Sequence, residues 1–228
     1  MDFDFSDDQE QLRDAVRKWV DKGYTFDRRR EITSAGGFDR AAYTELAELG
    51  LCGLYVSEDH GGMGMGPVEG MVVMEELGRG IVMEPIQQAL ISGAVLEGYA
   101  PDALKAEWLP KIAGGEAIVV LAQQERGARY QLGRCAAVAT ESNGAWSLSG
   151  TKSVVAIGDQ ADAFVVPATV NGQIALFLVE RSANGVSTQA YGTQDGSRAA
   201  EVVMNKAPAQ LITLNGLSAL EEARLAAY

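Results

Sequence analysis

The sequence has few of the residues that build catalytic or metal centres. Two cysteines and one histidine occur among its 228 residues. Cys52 and Cys135 lie far apart, with no further Cys or His at a ligand spacing, which argues against a disulfide framework and a zinc site. We therefore expect no metal and a reducing, cytoplasmic setting. Cys52 lies in an apolar run, where a buried thiol is favoured over a reactive one.

Long apolar runs and positive charge are also scarce. The longest strictly apolar run, Ala117 to Ala122, is too short to span a bilayer, and the acidic start is unlike a signal peptide. Lys and Arg number 19 against 31 Asp and Glu, a net charge of −12, which repels phosphate backbones and anionic membranes. We expect no nucleic-acid partner and no membrane insertion.

The composition is that of a globular chain, 47% hydrophobic and 22% charged, and its first half has helical periodicity. The pattern predicts five helices up to about residue 113. The first follows a capping box of Ser6 and Gln9, and the second follows Asp39 as N-cap. Prolines 67, 85 and 101 each begin one of the others.

After Gly114 and Gly115 the apolar period changes from helical to two, which predicts strands and an antiparallel β-barrel or sandwich. The strands are expected at 117–122, 146–149, 164–167, 174–179, 186–191 and 200–204. Helical periodicity returns near Asn215. The fold class is therefore α+β, with a helical domain over 1–115, a β domain over 116–212 and the first helix of a further bundle over 213–228. Because the apolar face of that last helix has no predicted partner, we expect the chain to be part of a longer protein.

Three short segments carry polar groups of interest. Four glycines in the segment 58–66 predict a loop with unusual backbone angles, which is a weak phosphate-binding signal without a Walker lysine. His60 in that loop is expected to hydrogen-bond locally. Glu75 and Glu76 point about 100° apart on a helix, so a solvated or ion-paired role is favoured over joint catalysis. In the segment 125–130, Arg126 and Arg129 either hold an anion or lie in a solvated loop where Glu125 pairs with an arginine.

Several phrases of the sequence, taken in order, resemble the acyl-CoA dehydrogenase family. They cover essentially the whole chain. Within the family, the chain most resembles the small-subunit type associated with pimeloyl-CoA-like substrates. The phrases lie at 48–54, 58–64, 75–78, 108–116, 148–152 and 199–202.

The resemblance implies an N-terminal helical domain, a middle β domain, a C-terminal helical bundle and FAD as cofactor. The family's flavin contacts fall here on Gln123, Gln124, Arg129, Tyr130, Val154 and Ala156. Val154 and Ala156 replace a tryptophan and a threonine of the family pattern, so the aromatic surface and hydroxyl are lost. No residue is nominated as catalytic base, because in most of the family that glutamate lies in the C-terminal bundle.

The expected function is that of an acyl-CoA dehydrogenase subunit that oxidises an acyl-CoA thioester and passes electrons to an electron-transfer flavoprotein. A homo- or hetero-oligomer with a paralogous subunit is expected. Two alternatives remain: an inactive structural partner of a catalytic paralogue, and a module that binds acyl-CoA without oxidising it.

Overall fold

The computed structural model describes residues 4–128 and 131–226, with side chains up to Arg224 at the C-terminal end. A helical block is followed by a β-barrel and one more helix. The helices are α1 (Asp7–Gly23), α2 (Phe26–Ser34), α3 (Arg40–Glu48), α4 (Pro67–Arg79), α5 (Ile86–Tyr99), α6 (Asp102–Ala113) and α7 (Gly216–Ala226). Short 3-10 helices occupy Leu51–Gly53 and Glu58–His60. None of the helices described is long and apolar enough to cross a membrane.

The predicted helix starts agree with the structure. The Ser6 side chain accepts a hydrogen bond from the backbone N–H of Gln9, whose own side chain accepts one from the Ser6 N–H, so the capping box is complete. The Asp39 carboxylate accepts from the Ala41 N–H and begins α3. Pro67 is the first residue of α4, whereas Pro85 and Pro101 stand one residue before α5 and α6.

Helix α2 was not predicted, so the helical block, as far as it is described, holds six α-helices and not five. Its sequence buries one apolar side chain, Ile32, and therefore lacks the periodic apolar stripe that marks a helix in sequence. Local signals stabilise it instead. The Thr25 side chain accepts from the Arg28 N–H at its start, and the Arg28 guanidinium binds the carboxylates of Glu45 and Asp39 on neighbouring elements.

Seven strands form the β block of the described chain. They are β1 (Val119–Leu121), β2 (Val138–Ser142), β3 (Ala145–Ala156), β4 (Ala163–Val170), β5 (Gln173–Glu180), β6 (Val186–Gly192) and β7 (Arg198–Thr213). Strands β4, β5, β7, β3 and β2 pair in that order, and β2 returns to β4 to close the ring. Strand β1 adds to β4, and β6 adds to β7. The predicted barrel is therefore present.

Three features of the barrel differ from the prediction. The β1–β4 and β2–β4 pairs are parallel, while the others are antiparallel. Strand β2 was missed because Ala139 is its one buried residue, which leaves no alternating apolar pattern to read. Strands β3 and β7 are also much longer than their apolar segments, since exposed polar residues continue both ladders.

The helical block and the barrel share one core. Strand β4 is buried on both faces at Phe164, Val165 and Val166. Helix α5 packs against β1, where the Ser92 hydroxyl donates to the Val119 carbonyl at 2.8 Å. Helix α7 also packs against α5, and its Leu220 is buried. The apolar face of α7 was predicted to have no partner helix, and this prediction is wrong at Leu220, which packs in the shared core.

Candidate functional site

A cleft of about 420 Å³ opens where the loop after β1, the end of β3 and the start of α5 meet. Its volume lies within the range of small-molecule sites. The cleft is lined by Gln88, Leu121, Gln123, Gln124, Leu132, Ser153, Val154, Val155, Ala156 and Arg224. Four of the six residues predicted from sequence therefore lie around one cavity: Gln123, Gln124, Val154 and Ala156. Arg129 and Tyr130 lie outside the described residues.

A backbone hydrogen bond joins the two segments that carry these four residues. The Ser153 N–H donates to the Gln124 carbonyl at 2.8 Å, which fixes the loop after β1 beside β3. The β3–β7 register shifts between Lys152 and Val155, as in a β-bulge. Val154 stands in this bulge with a φ of 53°, a left-handed conformation that is strained for a β-branched residue. The bulge leaves Val154 half exposed beside the cleft.

Gln88 is a wall residue that the sequence analysis missed. Its side-chain oxygen accepts from the Leu121 N–H at 3.1 Å, which orients the amide beside the cleft. A second cavity, of about 410 Å³, shares Gln88, Val154 and Ala156 with the cleft, so the two form one groove. A glutamine that begins an apolar helix gives no sequence signal of this role, because the contact depends on how α5 packs against β1.

Beneath the groove lies a buried ion pair that the sequence analysis also missed. The Lys152 ammonium, fully buried, lies 2.7 Å from a Glu125 carboxylate oxygen. The same carboxylate accepts from the N–H groups of Ala136 and Ala137, at 2.7 and 3.1 Å. Burial raises the pKa of Glu125, but the bonds from Lys152 and the two N–H groups outweigh it, and the net pKa is lowered. The pair therefore fixes the segment that carries Gln123 and Gln124.

The loop after Glu125 matches neither alternative fully. Glu125 is buried and pairs with Lys152 rather than with an arginine. Arg126 is 84% exposed and lies 3.7 Å from Glu201, so it belongs to a solvated surface. Because Lys152 lies 27 positions from Glu125, local sequence patterns could not predict this ion pair.

The other polar candidates have structural roles. His60 Nδ1 lies 3.0 Å from the Ser57 hydroxyl and 3.3 Å from Glu97, a local contact as predicted. Glu76 is buried and pairs with Arg17 and Arg79, which agrees with the ion-paired alternative.

The predicted loop of unusual backbone angles is present, with positive φ at glycines 61 and 64. Cys52 is buried, and burial raises its pKa to about 11, as expected of an inert thiol.

Carboxylates are absent from the cleft wall as far as the structure describes it. Glu201 is on strand β7, where it accepts from the Ser153 hydroxyl at 2.9 Å and from Tyr191 at 3.4 Å. Glu222 lines a separate cavity between α5 and α7. The described cleft thus offers amides, apolar walls and one arginine but no carboxylate, whereas the adjoining cavity is also lined by Glu84 and Asp195.

Comparison with known proteins gives these features a family context. The family model for the acyl-CoA dehydrogenase N-terminal domain matches residues 6–116. Acyl-CoA dehydrogenase FadE27 of Mycobacterium tuberculosis is 27% identical over 195 residues, which cover 85% of this chain and 51% of the relative. The chain spans about half the length of the curated relatives that it matches.

Solved structures agree in fold over nearly the whole chain. The ChsE4-ChsE5 complex from Mycobacterium tuberculosis superposes with a TM-score of 0.88 and 25% identity, covering 98% of this chain and 61% of that one. The Tcur3481-Tcur3483 steroid ACAD G363A variant gives a TM-score of 0.88 and 26% identity, covering 96% and 60%. The helical domain, the barrel that follows it and the sequence relatives all lead to one conclusion: the chain belongs to the acyl-CoA dehydrogenase family.

Proposed function

We propose that the chain is a subunit of an acyl-CoA dehydrogenase and that its groove forms one wall of a site for FAD and an acyl-CoA thioester. The observation that carries the proposal is the convergence of Gln123, Gln124, Val154 and Ala156 on one cleft in a chain of this family. Arg129 and Tyr130 are proposed to complete the wall. The domain boundaries at 115 and 212 belong to the proposal, and the change from α6 to β1 and from β7 to α7 supports them.

The residues of the groove suit a flavin ring in shape and polarity, but supply no aromatic contact among the described wall residues. Leu121 and Val154 offer apolar surface that excludes water from a flat ring, and Ala156 leaves room for it. The side-chain amides of Gln88 and Gln124 can donate to and accept from a polar ring edge. When bound, a flavin accepts a hydride from the acyl chain.

The chain's own groups would orient and shield the reacting centre. Glu125 and Lys152 hold the wall loop in place, and the strained Val154 presents its side chain beside the groove. Because the described wall of the cleft itself has no carboxylate, we propose that the base that removes the α-proton comes from residues beyond this chain or from a partner subunit. An electron-transfer flavoprotein is the proposed acceptor. The finer substrate class, pimeloyl-CoA-like, remains part of the proposal.

An assembly with a paralogous subunit is also proposed. The ChsE4-ChsE5 relative is, by its description, a complex of two different chains. We propose a cytoplasmic setting for the assembly, supported by the free thiols of Cys52 and Cys135. The inactive-partner alternative is favoured by one observation, the small side chains at Val154 and Ala156 in place of the family's larger ones.

The test is acyl-CoA-dependent reduction of a dye acceptor by the chain co-expressed with a paralogous acyl-CoA dehydrogenase subunit. We expect reduction that depends on both the acyl-CoA and this chain, and that falls when Gln124→Ala changes the wall. Equal activity of the paralogous subunit alone would support the inactive partner instead. No reduction in any combination would contradict the proposed function.

A further inference from the structure

Strand β6 is a free sheet edge with no charge on it. Its residues pair with β7 on one side only, in an unbroken register from Val186 opposite Met204 to Gly192 opposite Arg198. Residues 182–194 contain no charged side chain and no proline. Proteins usually protect such edges with charges, prolines or bulges, because unpaired backbone groups recruit another strand. The neighbouring strand β7, by contrast, carries Arg198, Glu201 and Lys206.

The alternation of hydrogen-bonded pairs along the β6–β7 ladder shows which backbone groups of β6 face outward. The Asn205 N–H donates to the Gly185 carbonyl, and the Thr193 N–H donates to the Ser197 carbonyl. In an antiparallel ladder, bonded and non-bonded pairs alternate, so the odd-numbered residues of β6 bond to β7. The N–H and C=O groups of Thr188 and Ala190 therefore point to the free edge, and no described residue gives them a backbone partner.

The distribution of charge on the chain favours this edge as the contact between two copies. The chain carries a net charge of −12, so two copies repel each other over most of their surfaces. The uncharged segment 182–194 is a place where two copies can meet without that penalty. An antiparallel pair of identical strands is also self-complementary about a two-fold axis, which is the commonest oligomer symmetry.

We infer that a second copy of this chain pairs through β6, with the two strands antiparallel and the axis near Gln189. In this arrangement, the Thr188 N–H of one copy donates to the Ala190 carbonyl of the other, and the Ala190 N–H donates to the Thr188 carbonyl. The two sheets then continue across the axis. This inference goes beyond the proposed function and does not depend on cofactor binding.

Sedimentation equilibrium of the 228-residue chain tests the inference, with Ala190→Pro as the disrupting variant. Proline removes an outward N–H but no bond to β7, so the copy itself keeps its sheet. Ala190→Val retains the N–H and is the matched control. We expect a monomer–dimer equilibrium in the natural chain and in Ala190→Val, and a dissociation constant at least about tenfold higher in Ala190→Pro.

A second variant covers the case in which the proline disturbs folding. Gln189→Glu places two carboxylates at the axis, beside Glu201 of each copy, so it should weaken the dimer strongly at low salt and less at high salt. Gln210→Glu, on an exposed position of β7, is its control. A chain that stays monomeric, a dimer that both disrupting variants leave intact, or an edge occupied only by a different protein would each overturn the inference.

Discussion

At the scale of single residues, the buried pair of Lys152 and Glu125 is the contact on which the groove wall most depends. Both side chains are almost completely buried, and the Glu125 carboxylate also serves two backbone N–H groups. Removal of one member of a buried pair leaves an uncompensated charge, which costs far more than the pair itself contributes.

Lys152→Met should therefore lower the free energy of unfolding by about 3–5 kcal/mol. Urea unfolding followed by circular dichroism measures this loss. The double variant Lys152→Met with Glu125→Gln retains a neutral acceptor for the N–H groups and should recover much of the loss. A loss below about 1 kcal/mol in the single variant would show that Glu125 is satisfied without the lysine.

Glu84 gives a second prediction at this scale, and the size of the expected effect depends on pH. The residue is buried, and neither carboxylate oxygen has a hydrogen-bond partner among the described residues. Burial raises the pKa of Glu84. With a raised folded pKa, the stability of the fold is complete below the unfolded pKa of about 4.3 and falls as pH rises through the folded pKa.

The neutral isostere Glu84→Gln should raise the free energy of unfolding by about 1 kcal/mol near pH 8 and change it little near pH 4. Paired urea titrations at the two pH values measure the difference. A gain of the same size at both values would assign the effect to packing rather than to the carboxylate charge.

At the scale of elements, the bulge in β3 determines where the groove wall lies. Val154 has a φ of 53° there, which a glycine adopts without strain and a β-branched residue does not. Its side chain is half exposed, so little burial is lost with it. The strain is consistent with a bulge that aims a side chain at a functional cavity.

Val154→Gly should accordingly raise the free energy of unfolding by about 1 kcal/mol. Val203→Gly is the matched control, since Val203 is similarly exposed on β7 without a positive φ. That control should lose about 0.5–1 kcal/mol. Equal losses in both variants would show that the bulge stores no strain at Val154.

The sequence predicted most elements because their signals are local. The capping box at Ser6, the N-cap at Asp39 and the apolar core strand at 164–167 needed no tertiary information. Helix α2 and strand β2 escaped because each buries a single residue, so tertiary contacts rather than periodicity stabilise them. The same limit applies to the site. Gln123 and Val154 were found through resemblance, while Gln88 and Lys152 join the site only through packing.

At the scale of the whole molecule, the groove exists because the helical block and the barrel are held together. The Arg29 guanidinium donates to the carbonyls of Ile81 and Asp195, and Arg198 donates to the Gly36 carbonyl. These bonds connect α2 and the loops beside it to the turn between β6 and β7. Gln88 on α5 and Val154 on β3 therefore face one space, although 66 residues separate them in the sequence.

We propose that a flavin binds in this space, and an FAD fluorescence titration of the purified 228-residue chain tests the proposal. Ala156→Trp fills the groove, while Ala145→Trp makes the same change at an exposed end of the same strand. We expect the natural chain and Ala145→Trp to quench FAD fluorescence, and Ala156→Trp to bind FAD at least about tenfold more weakly. Absence of FAD binding by the natural chain, or equal binding by all three proteins, would contradict a flavin site in the groove.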